Sequence, residues 1–256
     1  FDNYDLSVYR GLQGSTNWEP TEVRFVHGVT YVLQILMDFA HNRWHATLGN
    51  ALLATNQPLT TLGSPLDLGD IEAGWYVYDL GFPGDNRMVF DDYTITTELL
   101  PGVPAYRTGF ESVEGFTNGA AVEGTDGWVG SGETYYVDEN GITNGVFAGH
   151  GQQAFLGGSL TATEANYYAV WRPVDLAPVP PNVRWVRFSV LMSIEASSNG
   201  HKDNFYWSLI NTNGQELFNL NFDNYYLSVY RGLQASTNGE PTEVRFVHGV
   251  TYVLQI

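Results

Sequence analysis

Two carboxylate pairs lie close in the chain, Asp70 and Glu72 in LGDIEAGW and Asp138 and Glu139 in YVDENG. Retaining glycoside hydrolysis needs a nucleophile and an acid roughly 5–5.5 Å apart, which an alternating E-x-D-x-E strand would place on one face. That pattern is absent, and both pairs read as turn contexts. The six histidines are scattered. His41 and His45 in AHNRWH are four apart, a metal spacing on a helix, but Arg43–Leu48 reads as a strand. Serine nucleophile elbows and phosphate-cradling glycine loops are missing too. The residues argue against an enzyme.

Binding is a different matter. Seven tryptophans could offer flat apolar faces to sugars. Most sit in alternating runs, where burial explains them. Trp18 lies in the turn-rich QGSTNWEP and is the candidate glycan contact.

The acidic balance narrows the partners. Eleven basic and 28 acidic residues give a net charge of −17. Such a surface repels nucleic acid, whose recognition needs clustered Lys and Arg, and it leaves carboxylates free for divalent cations. With no cysteine, disulfides and thiolate metal sites are excluded. No apolar run approaches the ~20 residues that span a bilayer, so membrane insertion is not expected in this segment. No N-x-S/T acceptor occurs.

The elements that would position any site read as strands. Apolar residues recur every second position in VRFVHGVTYVLQI, RMVFDDYTI, YYAVWRP, FYWSLI and ELFNLNF. Turn signals such as SSNGHKD, NTNGQE, DENG and PGDN separate them. No stretch keeps a helical period. The fold class is all-β, an antiparallel β-sandwich.

The first 35 residues return almost unchanged at 222–256, so that Phe1 corresponds to Phe222, an offset of 221 residues. Only Asp5/Tyr226, Gly14/Ala235 and Trp18/Gly239 differ. The stretch 97–109, TELLPGVPAYRTG, carries Pro101 and Pro104, which cannot donate to a central ladder, and reads as an interdomain linker. A unit opening at Phe110, continuing through the repeated segment and ending like 36–96, fills the 221-residue period once this linker is added. The expected organisation is therefore 1–96 as the C-terminal part of one repeat, 97–109 as linker and 110–256 as the N-terminal part of the next. Both ends are then expected to fall inside a unit.

The stretches FESVEGFTNGAAVEGTDGWVG, VRFSVLMSIEASSNGHKDNFYWSLIN, DFAHNRWHATLGNALLATN and GDNRMVFDDYTI resemble concanavalin A-like, laminin-G-like jelly-roll domains repeated along large bacterial surface and extracellular proteins. The resemblance implies that NRWHATLGNALL is a strand–turn–strand and that MVFDDYTI pairs with the opening FE strand. It also implies a structural calcium tying first strand to last, held here by Asp91, Asp92 and Glu111, with Asp126 and Asp138 as weaker candidates. Because Glu111 and Asp92 belong to successive repeats, such a site within one unit would need residues outside this segment or from a neighbouring unit.

Near-identical repeats suit length and multivalency rather than catalysis. The expectation is a structural subunit of an extracellular or cell-surface filament, partnered by copies of itself. Leu99, Leu100, Val103 and Tyr106 of the linker would dock against a neighbouring sheet. The alternative is a carbohydrate-binding or adhesion module.

Overall fold

The computed structural model describes residues 18–77, 79, 81–97, 104–130, 140–158, 167–174, 176, 185–224 and 228–233. In chain order the strands among them are β1 (Trp18–Arg24), β2 (Tyr31–Asp38), β3 (Arg43–Leu48), β4 (Ala51–Gln57) and β5 (Asp70–Tyr76). Next come β6 (Arg87–Thr97), β7 (Pro104–Thr108), β8 (Val129–Gly130), β9 (Asn140–Asn144) and β10 (Gln152–Gly157). The last five are β11 (Tyr167–Trp171), β12 (Trp185–Ile194), β13 (Asn204–Ile210), β14 (Glu216–Asp223) and β15 (Ser228–Leu233). Two single 3-10 turns, Phe39–His41 and Ser112–Glu114, are the helical structure among the described residues.

The strands form two antiparallel sheets stacked as a sandwich. One runs β1-β15-β14-β13-β5-β11-β8, the other β4-β3-β2-β12-β6-β10-β9. The eleven-residue β6 holds β10 along its first half and β7 along its second, with β12 on its opposite side. Alternation explains the layering. In β2, Leu33, Ile35 and Met37 are buried while Val32 and Gln34 face solvent, and Val186, Phe188, Val190 and Met192 do the same for β12.

Aromatic rings bridge the sheets. Trp44 of β3 stacks on Phe218 of β14 at 3.8 Å between ring centroids. Tyr93 sits among Phe188 and Trp128 at 5.0 and 5.1 Å. Its hydroxyl donates to the Ile71 carbonyl across the core at 3.1 Å, which satisfies the polar tip of a fully buried ring.

The stretches read as parts of two successive repeats are interleaved. Residues 18–97 supply β1 to β6 and residues 104–233 supply β7 to β15, and β2 pairs with β12, β5 with β13 and β6 with β10. Of the recurring 35-residue segment, the described residues are 18–35 of the first copy, which carry β1 and β2, and 222–224 and 228–233 of the second, which carry the end of β14 and β15. Trp18 to Asn238 is one period of 221 residues.

Three local expectations are corrected. Part of the expected linker is a strand: Pro104–Thr108 pairs with β6, and its proline opens the strand opposite Thr96, where a missing N–H is tolerated. The FE segment is not a strand partner of β6, because Phe110 turns left-handed (φ 57°) and drops its ring into the core. Asp70 and Glu72 lie in β5 rather than a turn. The strand–turn–strand at 43–57 is present, turning through Gly49 (φ 56°) and Asn50. Among the described residues no helix is long and apolar enough to cross a membrane.

Candidate functional site

The first polar cluster is built by a bulge in β6. Phe90 and Tyr93 both face the core although three positions separate them, an odd spacing for a strand. The ladder to β12 shifts between Ser189–Thr94 and Leu191–Asp91, and Asp92 takes a left-handed conformation (φ 50°). The extra residue returns Tyr93 to the core side. The turn after β7 brings Glu111 to the same place. Asp91, Asp92 and Glu111, with Arg107, Glu114 and His150, line a groove of about 390 Å³. One chain thus supplies all three carboxylates, contrary to the expectation that a neighbouring unit would be needed.

Asp91 is 1% exposed. One carboxylate oxygen accepts the Asp92 N–H at 2.7 Å, and the other lies 3.3 Å from Nδ1 of His150, itself 3.5 Å from Asp92. Burial pushes the Asp91 carboxyl up to about 6, and the nearby charges of Asp92 and Glu111 push the same way. Glu114 ties the turn together by accepting from Thr108 Oγ1, the Gly109 N–H and the Glu111 N–H at 2.9–3.1 Å. Gly151 lies against the Glu111 carboxylate, which would have to swing aside to admit a β-carbon there.

In kind, these donors fit a hard cation: oxygen ligands, one of them raised by burial. In arrangement they do not form a shell. Among the described residues no three acidic or imidazole groups meet closely enough to hold an ion, and His150 Nδ1 stands against both Asp91 and Asp92.

The other sequence candidates are dispersed. Trp18 opens β1 opposite Gly232, in a strand rather than a loop. Asp126 accepts from the Tyr106 hydroxyl at 2.6 Å, and Tyr106 also accepts from Trp128 Nε1 at 2.9 Å. The Tyr106 ring lies under the Arg172 guanidinium at 4.7 Å, so this expected assembly contact packs within its own sandwich. Leu99, Leu100, Val103 and Asp138 lie outside the described residues. Trp44, Trp75, Trp128 and Trp207 are core residues.

A second cluster escaped the sequence reading. On β13, Phe205, Trp207 and Leu209 point into the core, so Tyr206 and Ser208 face the other side of the sheet. There Tyr206 stacks on Tyr167 of β11 at 5.2 Å, and Tyr167 hydrogen-bonds Glu72 of β5. Ser208 and Asn219 donate to the two oxygens of Glu216 at 2.8 and 2.9 Å. Desolvation pushes Glu72 up to about 6 against the Tyr167 hydrogen bond, and the Glu216 charge adds to the rise. Glu216 is raised mainly by burial. Asn219, 7% exposed, leaves its buried Oδ1 without a partner. Tyr206 is buried and Tyr167 is 42% exposed, so one ring of the stack is offered to a polyhydroxyl compound beside the Glu72 carboxylate. Residues 72, 167, 206 and 216 meet only through the sheet order, and no local pattern announces them.

Compared with protein-family models and with curated proteins, the sequence matches none.

Proposed function

We propose that this chain is a structural repeat of an extracellular or cell-surface filament, built from concanavalin A-like jelly-roll units in tandem and partnered by copies of itself. One observation carries the reading: residues 1–35 return at 222–256 with three differences, at an offset of 221 residues. Near-identical repetition has little use in an isolated binding domain and gives length and multivalency to a concatenated one. Calcium at the Asp91–Asp92–Glu111 groove belongs to the proposal as a stabilising ion.

Electron microscopy of the purified chain, with and without a chelator, tests it. Long filaments with a regular axial repeat are expected. Discrete, uniform particles under both conditions would sink the reading.

A second reading, carbohydrate binding, is favoured by the Tyr167–Tyr206 stack beside Glu72. It moves the candidate contact from Trp18 to that face. Titration with a panel of oligosaccharides, repeated on Tyr167→Ala, decides it: binding lost with the ring supports the site, and no binding by the parent chain removes it.

A further inference from the structure

We infer that the outer face of β14-β13-β5-β11 takes an amino sugar, whose ammonium group sits against Glu72 among tyrosine and tryptophan rings. The inference rests on the carbohydrate reading and names the class of sugar.

The strand register puts the parts side by side. On β5, Ile71, Ala73 and Trp75 fill the core, so Glu72, Gly74 and Tyr76 face outward. On β11, Tyr168 and Val170 are core residues, which turns Tyr167 and Trp171 to that same outer face. Trp171 stands directly opposite Glu72, and Tyr167 directly opposite Tyr76. Both tyrosines are exposed, and the Tyr167 hydroxyl donates to Glu72. A carboxylate flanked by aromatic rings suits an organic ammonium ion, which is attracted by the carboxylate charge and by the negative faces of the rings.

A second, independent feature asks for a donor. On β14, Phe218 and Leu220 are core residues, and Asn219 stands opposite Ser208 on the outer face. Asn219 Nδ2 donates to Glu216, which fixes the orientation of the amide, because a carboxylate only accepts. Asn219 Oδ1 is left buried without a hydrogen bond, in a residue only 7% exposed. Asn221 Oδ1, opposite Tyr206, is left in the same way. Buried acceptors without a donor are uncommon in folded proteins. A sugar carrying hydroxyls and an ammonium group is made of the donors that Glu72, Asn219 and Asn221 call for. Glu72 lies opposite Ser208, and Ser208 opposite Asn219. The two ends are therefore roughly 10 Å apart at about 4.8 Å per strand, the reach of a disaccharide rather than of a small amine. A uronate or sulfated sugar would bring like charge to Glu72 and is rejected.

Oligosaccharides of chitosan, chitin and cellulose share a backbone and carry an ammonium, an acetamide or a hydroxyl group on each ring. Calorimetric titration of the full chain with the three at equal length, in about 0.15 M salt to screen exposed charge, tests the inference. The chitosan oligosaccharide is expected to bind on the order of tenfold tighter than the cellulose one, the advantage of a charge-assisted hydrogen bond over a neutral one. Glu72→Gln keeps an acceptor for Tyr167 and should erase that ratio. A ratio that survives Glu72→Gln belongs to the overall charge of −17 and overturns the inference. Spermidine binding as tightly as the chitosan oligosaccharide overturns it too, since charge alone is then read. Equal binding of all three sugars by the parent chain sinks the amino-sugar assignment and leaves the carbohydrate reading in place; binding of none removes both.

Discussion

The ring of Tyr206 lies over Gly74 on the neighbouring strand, occupying the space a side chain would need. A β-carbon at Gly74 would stand 1.7 Å from Cζ of that ring. The glycine in DIEAGWY is thus the seat of the tyrosine stack. Replacing it by alanine should cost about 1–3 kcal/mol, the usual penalty for overpacking. It should also shift the near-ultraviolet circular dichroism of the stacked tyrosines. A thermal melt and that spectrum check both parts, and an unchanged spectrum would place Tyr206 elsewhere.

The contact between Trp44 and Phe218 bridges the two sheets, and Trp44 Nε1 also donates to the Pro58 carbonyl at 3.1 Å. Trp44→Ala should destabilise the sandwich by roughly 3–5 kcal/mol. Trp44→Phe should recover most of that. Denaturant melts of the two variants decide whether ring packing or the indole hydrogen bond carries the larger share.

Stability should fall as the solution becomes less acidic. Glu72 and Asp91 both titrate near 6 in the folded chain, above their ordinary values of 4.5 and 3.8. Groups raised on folding contribute stability that is complete below the unfolded values and is lost as pH rises through the folded ones. The window is therefore about pH 4 to 6. Glu72→Gln keeps an acceptor for Tyr167 and removes the charge. It should melt higher than the parent at pH 7, by an amount on the order of 1 kcal/mol, and no higher at pH 4. Equal melting of parent and variant at pH 7 would contradict the burial argument.

At the β6 bulge, added calcium should raise the melting temperature of the parent chain more than magnesium does, since the larger ion tolerates an irregular oxygen shell. Asp91→Asn should remove that increment. A melt insensitive to calcium would leave His150 Nδ1 as the neighbour of both carboxylates.

How far these features could be read beforehand differs by element. The alternation of Leu33, Ile35 and Met37, and of Phe205, Trp207 and Leu209, announced β2 and β13, because a half-buried strand shows its period in any short window. DIEAGWY was hidden. Its flanking Gly69 and internal Gly74 imitate a turn, while their real cause is the close approach of Asn211 and of Tyr206. Pro104 misled in the opposite direction, since a proline at the first residue of an edge pairing is compatible with a strand. Asp91, Asp92 and Glu111 were nominated by resemblance, and the structure brings them to one groove without an ion-binding shell. The Glu72–Tyr167–Tyr206–Glu216 cluster was illegible in principle. Four strands from distant parts of the chain build it, and only the order β14-β13-β5-β11 makes them neighbours.

That strand order also sets a timetable for synthesis. β2 has its local partner β3 at once, but its other neighbour is β12, and β5 has no neighbour before β11 and β13. A ribosome adding about 5–20 residues per second needs on the order of ten seconds to go from one side of the β2·β12 ladder to the other. Through that interval Leu33, Ile35, Ile71 and Trp75 wait without their sheet.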